Sequence, residues 1–317
     1  MSKYCWSFAV FFEGSEKKVE IVFKRGTENL LSIEKSFWSE LVQRAKASIL
    51  SEISNDYIRA YLLSESSLFV FENKILMITC GKTTLIAAVV FLEAKFGRDS
   101  FELVFYQRKN EFKSYKQLSS FEDDVHYLSS IIEGKSMRFG KIHSHHNLIF
   151  HSTKIQKQGE RDTTTELLMY DICEIFCKEL EVNSEDTDKI RDFLNLSLIF
   201  PGFEIDDFKF NPCGYSLNAI LKDEYYTIHI TPENGHSYIS FETNVDLKDK
   251  KQNVIDHFVE VIRPGSFDLI SFDDMEEYHN PLYLLRMNYA DQISIGHEVS
   301  FKYFYKDVKG VQKPFYF

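Results

Sequence analysis

Short runs in which apolar and polar residues alternate recur along the chain, and a period of two residues places every second side chain on one face of a strand. The runs fall near Phe8–Phe12, Val19–Phe23, Tyr57–Leu63, Ser67–Phe71 and Ile75–Thr79. They recur near Phe203–Phe210, Tyr215–Leu221, Tyr225–Thr231, Ser237–Glu242 and Phe267–Ser271. Helical spacing interleaves with them. Phe37, Trp38, Leu41, Val42, Ala45 and Ile49 share one helical face, and Thr84–Phe96 forms a second helix stopped by Gly97. Further helices are expected over Thr164–Cys177 and Gln252–Ile262. Two comparable halves emerge, about 1–160 and 161–317, with only 13 Gly and 6 Pro and no flexible spacer between them. The pattern predicts a single α+β domain over 1–317, a four-layer α/β/β/α sandwich of two mainly antiparallel sheets with helices outside.

A hydrophobic content of 44%, with aromatics at 15% of the chain, predicts a packed globule. The net charge of −11 opposes binding to nucleic acid or an anionic membrane surface and tolerates a small cationic ligand. The acidic runs Glu122–Asp124 and Asp273–Glu277 read as solvated surface. Five cysteines, Cys5, Cys80, Cys173, Cys177 and Cys213, lack CxxC spacing, which predicts reduced thiols and a cytoplasmic protein. Ser7–Phe12 is too short for a secretory segment and Leu85–Leu92 is too short to cross a bilayer.

One dipeptide carries unusual chemistry. Glu65-Ser66 sits in Leu62-Leu63-Ser64-Glu65-Ser66-Ser67-Leu68-Phe69-Val70. A serine hydroxyl can attack the preceding carbonyl, convert the amide to an ester, and leave by β-elimination, which ends in a pyruvoyl group at a new chain terminus. Such a group condenses with an amine as a Schiff base and accepts electrons from a breaking C–C bond. An isolated Ser-rich turn between strands is the plainer reading, so partners elsewhere must decide. Three other motifs fail on their own terms. Gly81-Lys82-Thr83 lacks the glycine that a phosphate loop needs at Leu76. His143, His145, His146 and His151 have no carboxylate among them and read as strand or surface turn, with no metal inferred. No GxSxG elbow supports a hydrolase triad.

Five segments accompany the dipeptide in order: Phe11-Phe12-Glu13-Gly14-Ser15-Glu16-Lys17, Thr79-Cys80-Gly81, Phe210-Asn211-Pro212-Cys213-Gly214-Tyr215-Ser216, Thr227-Ile228-His229-Ile230-Thr231-Pro232-Glu233, and Ser237-Tyr238-Ile239-Ser240-Phe241-Glu242-Thr243-Asn244. Together they resemble the eukaryotic S-adenosylmethionine decarboxylase proenzymes from about Phe11 to Asn244, beyond which the likeness fades to pattern. The resemblance implies self-cleavage between Glu65 and Ser66 into a β chain, 1–65, and an α chain, 66–317, that remain associated. The α chain would carry a pyruvoyl group made from Ser66, without metal or pyridoxal phosphate. It also implies decarboxylation of S-adenosylmethionine, whose product donates aminopropyl groups to spermidine and spermine.

The same resemblance assigns Ser216 and His229 to processing, a hydroxyl to steady the oxyoxazolidine and an imidazole to take the proton. Cys80 matches the proton donor, a task that a thiol near neutral pKa suits. Phe12 and Phe210 match the aromatics that sandwich adenine. Glu233 matches the ribose ligand, and the backbone around Leu63 and Glu65 would read the adenine edge. Glu13 and Glu16 match acidic active-site residues whose field favours a sulfonium.

Glu20, Asp162, Thr164, Glu166 and Glu242 match a site where animal members bind putrescine as an activator. Crowded buried carboxylates need a cation. Lys18 stands where animal members carry leucine and plant members arginine, so its ammonium is expected to replace the diamine in part. Ile78 replaces a lysine of the animal members, and Lys82 is inserted after Gly81. Animal relatives are dimers and plant relatives monomers, which leaves a homodimer open. The competing function is a non-catalytic regulatory paralogue that activates a separate decarboxylase subunit, against which stand the retained Ser66, Cys80, Ser216, His229, Glu13 and Glu16.

Overall fold

Alternation in the strand Lys17–Phe23 (β1) serves two environments. Val19, Ile21 and Phe23 join a core covered by helices, while Lys18 and Val22 face the interior between two sheets. A computed structural model of the chain describes residues 16–111, 113–153, 163–172, 187–210, 214–231, 237–248, 250–274, 276–293 and 297–306. The strand expected at Phe8–Phe12 lies outside them.

The first sheet adds Ile49–Ser54 (β2), Arg59–Leu63 (β3), Ser66–Val70 (β4), Lys74–Thr79 (β5), Phe101–Lys109 (β6), Gly134–Gly140 (β7) and His146–Ser152 (β8). The second contains Thr164–Tyr170 (β9), Glu204–Lys209 (β10), Tyr215–Leu221 (β11), Glu224–Thr231 (β12), Tyr238–Thr243 (β13), Ser266–Phe272 (β14), Tyr283–Gln292 (β15) and Glu298–Lys306 (β16). All the pairings are antiparallel. Strand order is β2-β3-β4-β5-β1-β6-β8-β7 in the first sheet and β10-β11-β12-β13-β9-β14-β16-β15 in the second, the same path traced twice.

Helices Lys35–Arg44 (α1), Leu85–Phe96 (α2) and Phe121–Ile131 (α3) cover the outer face of the first sheet. Trp38, Leu41, Val42, Ala88, Val89 and Leu92 pack there against Tyr61, Leu68 and Met77. Asp188–Phe193 (α4), Leu196–Ile199 (α5) and Lys251–Ile262 (α6) cover the second sheet, with Val254, Ile255, Phe258 and Ile262 on Leu217, Ile228, Phe241 and Leu269. The result is the four-layer α/β/β/α arrangement.

Two expectations are corrected. Thr164–Tyr170 is a strand, not the start of a helix. It lies between β13 and β14 at the middle of its sheet, buried on both faces, where an apolar run no longer alternates and mimics helical spacing. Ile49 belongs to β2 because α1 stops at Arg44 and Lys46 turns the chain with a φ of 66°.

Two apolar clusters lie between the sheets. Leu103, Phe105 and Ile149 meet Leu168, Ile270, Phe272 and Phe301, while Phe69, Leu76 and Ile78 meet Ile220 and Tyr225. Separating them is a polar seam of Ser67, Lys18, Gln107 and Lys109 from one sheet and Asn218, His229, Glu166 and Glu242 from the other.

On the outer side, Arg108 reaches Asp124 at 2.5 Å, Glu111 at 3.1 Å and the Ser119 carbonyl at 2.9 Å, which clamps α3 and its preceding loop to β6. The Ser120–Asp123 capping box fixes the start of that helix. Replacing Arg108→Leu strands the buried Asp124 carboxylate and is expected to cost about 3–5 kcal/mol, measurable as a lowered midpoint in denaturant unfolding. An unchanged midpoint would show that the clamp adds nothing.

Candidate active site

The Glu65–Ser66 peptide sits at the end of a β-hairpin. Leu63 and Ser66 pair directly, so Ser64 and Glu65 form a two-residue turn. Its tip is fastened twice to Ser48: the Ser64 amide donates to the Ser48 carbonyl at 2.9 Å, and the Ser48 amide donates to Ser64 Oγ at 3.0 Å. Ser66 adopts a φ of 131°, a region that L-residues avoid and that costs about 1–3 kcal/mol. Its hydroxyl is buried and has no hydrogen-bond partner among the described residues.

The carbonyl of Glu65 is equally specific. Glu65 O accepts from the Cys80 amide at 2.9 Å and from Cys80 Sγ at 3.3 Å. Two donors therefore point at the oxygen that would become negative on hydroxyl attack, the requirement for stabilising an oxyanion. Burial pushes the Cys80 thiol well above its ordinary value, and the charges of Glu65 and Glu16 push the same way, against a smaller opposing effect of Lys17. The expectation of a near-neutral thiol is thus corrected: Cys80 holds its proton, which suits donation. Lys17, buried behind it, donates to the Gly81 carbonyl at 2.8 Å and braces the turn that carries the cysteine.

His229 and Ser216 are cross-strand partners on β12 and β11. Nδ1 of the ring is 2.9 Å from Ser216 Oγ. Nε2 is 2.8 Å from Thr227 Oγ1 and 3.1 Å from Ser67 Oγ, so the ring of one sheet meets the residue next to Ser66 on the other. Burial lowers the His229 pKa to about 3, helped by the charge of Lys109, and the imidazole is a neutral base.

Beside it lies the charged part of the seam. Lys109 Nζ is 3.0 Å from Glu166, 3.3 Å from Glu16 and 3.6 Å from Glu242. Lys18 Nζ is 2.9 Å from Glu166 and 2.6 Å from Glu242. Burial alone would raise Glu166, yet Lys109 and Lys18 outweigh it and hold the carboxyl at about 2. Glu16 is raised, because burial prevails over Lys109 and over the hydrogen bond from Ser240. Its charge reaches both Lys109 in the cluster and the Cys80 thiol. Glu20 lies on the same face near Lys74, and Thr164 is buried at the start of β9.

Leu63 is fully buried beside the hairpin, and Phe210 is half-buried against Phe208, at 5.0 Å between ring centroids. Phe208 pairs with Ser216, which places Phe210 near the end of the strand pair that carries Ser216. Phe12, Glu13, Glu233 and Asp162 lie outside the described residues. Sequence reasoning missed Lys109, Gln107, Ser67, Asn218 and Thr227. The signal for the first two was available, since Phe105, Gln107 and Lys109 alternate on the inner face of a strand that is otherwise buried. The histidine cluster is divided: His146 and His151 are on β8, while His145 reaches Asp268 of the other sheet at 3.0 Å, a carboxylate that local sequence could not reveal. Among the described residues no group of histidines, cysteines and carboxylates is arranged to hold a metal ion, and no helix is long and apolar enough to cross a membrane.

Comparison with known proteins agrees with this geometry. A relative from Dictyostelium discoideum named S-adenosylmethionine decarboxylase proenzyme is 37% identical over 281 residues, 81% of this chain and 73% of its own length. Proteins of the same name from Drosophila melanogaster and Xenopus laevis are 35% and 34% identical, covering 83% and 82% of this chain and 82% and 83% of their own lengths. The crystal structure of the Trypanosoma brucei AdoMetDC-delta26 monomer aligns with a TM-score of 0.57 and 24% identity, over 76% of this chain and 99% of that one, and supports the fold. Residues 9–308 match the family described as adenosylmethionine decarboxylase, so the likeness does not fade after Asn244 but runs through the second sheet. The chain belongs to the adenosylmethionine decarboxylase family.

Proposed function

We propose that this protein is a self-cleaving S-adenosylmethionine decarboxylase, cut between Glu65 and Ser66 into chains 1–65 and 66–317. The observation that carries the reading is the hairpin itself: a buried serine hydroxyl without a partner among the described residues, on a residue at a φ of 131°, next to a carbonyl that already accepts from Cys80. Attack of Ser66 Oγ on the Glu65 carbonyl relieves the strained backbone, and the Cys80 amide and thiol stabilise the developing oxyanion. Ser216 Oγ supplies a further hydroxyl, and His229, neutral through burial, removes a proton.

These residues fit a pyruvoyl group derived from Ser66, which would act as the electron sink for loss of carbon dioxide from the substrate's α-carbon. Cys80 then holds a proton at Sγ, close to the position of Ser66, for return to that carbon. Glu13 and Glu16 would oppose the positive charge of the substrate's sulfonium, Phe12 and Phe210 would stack on its adenine, and Glu233 would accept from its ribose hydroxyls.

We further infer that Lys18 supplies the cation that animal relatives take from putrescine. Its ammonium lies between Glu166 and Glu242, 5.6 Å from the centre of the Phe272 ring. Lys18 is also the cross-strand partner of Ile78, the position where animal members carry lysine. The positive charge that β5 lacks at Ile78 is thus present one strand away on β1, at Lys18.

Intact-mass analysis of the purified protein should give two fragments divided before Ser66, and Ser66→Ala a single chain of full mass that releases no carbon dioxide from carboxyl-labelled S-adenosylmethionine. An uncut wild type would overturn the assignment and favour a regulatory paralogue. For the pH dependence, the folded-state pKa of His229 lies below the unfolded value of 6.5. The neutral base therefore persists as pH falls from 6.5 towards about 5, and self-cleavage of the chain made by cell-free translation should keep its rate there. A rate that halves near 6.5 would show a titrating His229. Lys18→Leu should turn an activity that putrescine scarcely affects into one that depends on it, whereas strong activation of the wild type, unchanged in the variant, would discard the substitution of lysine for diamine.

A further inference from the structure

The contacts of His229 determine which of its two nitrogens is basic. Nδ1 faces one hydroxyl, Ser216 Oγ at 2.9 Å, and Nε2 faces two, Thr227 Oγ1 at 2.8 Å and Ser67 Oγ at 3.1 Å. A hydroxyl can donate or accept, so these contacts alone are compatible with either tautomer. Asn218 removes the ambiguity. Its oxygen faces both hydroxyls, with Oδ1 2.5 Å from Ser67 Oγ and 3.1 Å from Thr227 Oγ1, while its buried Nδ2 has no hydrogen-bond partner among the described residues. In this orientation the oxygen can only accept.

Ser67 must direct its proton to Asn218. Thr227 has two acceptors for its own proton, the Leu217 carbonyl at 2.9 Å and Asn218 Oδ1 at 3.1 Å. Both hydroxyls are left with lone pairs towards Nε2, which consequently carries the N–H. Nδ1 keeps its lone pair, and Ser216 donates to it.

We propose that Asn218, acting through Ser67 and Thr227, holds His229 as the Nε2–H tautomer, so that Nδ1 is the atom that takes the Ser66 α-proton during self-cleavage. The proposal rests on the self-cleaving reading of Glu65–Ser66. After the hydroxyl has attacked and the C–N bond has opened, Glu65 is joined to Ser66 Oγ as an ester and the Ser66 amine is free. Nδ1 accepts the α-proton, the released electron pair forms the Cα=Cβ bond, and the Cβ–O bond breaks with its pair remaining on the Glu65 carboxylate. In the earlier step Ser216 keeps its proton but turns its O–H from Nδ1 to hydrogen-bond the oxyanion, which opens Nδ1 for this one. The resulting imidazolium finds both N–H groups already matched, one to Ser216 and the other to Ser67 and Thr227. That match is needed in a buried site beside Lys109, where a cationic ring would otherwise be disfavoured. Asn218, Ser67 and Thr227 are thus positioning residues.

The test uses the full chain in two forms. In the uncleavable Ser66→Ala chain labelled with 15N-histidine, His229 should show a protonated Nε2 and a pyridine-type Nδ1, and adding Asn218→Leu should abolish that preference. In the cleavable chain Asn218→Leu should slow self-cleavage about tenfold or more. It should also accumulate ester, which hydroxylamine splits into 1–65 and a 66–317 fragment that begins with intact serine. Thr227→Val, isosteric and suited to a strand, carries the same expectations where Asn218→Leu fails to fold. A protonated Nδ1 in Ser66→Ala, or unchanged ring signals and rate in the variants, would overturn the proposal. A wild type that is never cut would instead overturn the self-cleaving reading, and the ring signals of Ser66→Ala would still report on the tautomer.

Discussion

Two lysines buried between three glutamates hold the sheets face to face around a polar interior. Lys18 and Lys109 both come from the first sheet, Glu166 and Glu242 from the second, and Glu16 joins them from the start of β1. Removing either lysine leaves buried carboxylates uncompensated, a loss of about 3–5 kcal/mol for a buried pair. Apolar residues of equal volume in place of the whole cluster would stabilise the packing as well, so stability is a weak reason for it. Its position supplies a stronger one. Burial sets the protonation of His229 and Cys80 beside the Glu65–Ser66 peptide, and the seam reinforces it: the charge of Lys109 lowers His229 further and that of Glu16 raises Cys80 further.

The hairpin illustrates how such a site is built into a regular sheet. A two-residue turn made of Ser64 and Glu65 satisfies none of the usual preferences for glycine or asparagine. The strain at Ser66 persists because Leu63, Thr79 and the Ser48 contacts determine the surrounding backbone. Local sequence rules are broken at the place where bond breaking is proposed.

Much of the architecture was legible because alternation survives where a buried strand turns apolar side chains to the helices and polar ones to the seam. Val19–Phe23, Tyr225–Thr231 and Ser237–Glu242 were readable for that reason. β9 was not, since Leu167, Leu168 and Met169 place apolar side chains on both of its faces and leave no period of two. Of the site, the motif positions Ser66, Cys80, Ser216 and His229 were legible by resemblance. Ser67, Asn218 and Thr227 were not, because their meaning comes from contacts between residues 151 and 160 positions apart, across two sheets that no local pattern relates. The Cys80 thiol was misjudged for the same reason: its pKa is set by burial and by the charges of Glu65 and Glu16, none of which is visible in Thr79-Cys80-Gly81.

The order of strands in the first sheet governs the fate of a chain broken after residue 65. β1 belongs to the segment before the break, yet it is zipped on both sides to strands from beyond it, β5 and β6. A severed amino-terminal piece could depart only by tearing three ladders, β1–β5, β1–β6 and β3–β4, and withdrawing Lys18 from its carboxylates. Loss of covalent continuity would therefore cause no dissociation, and the two polypeptides would unfold as one cooperative body.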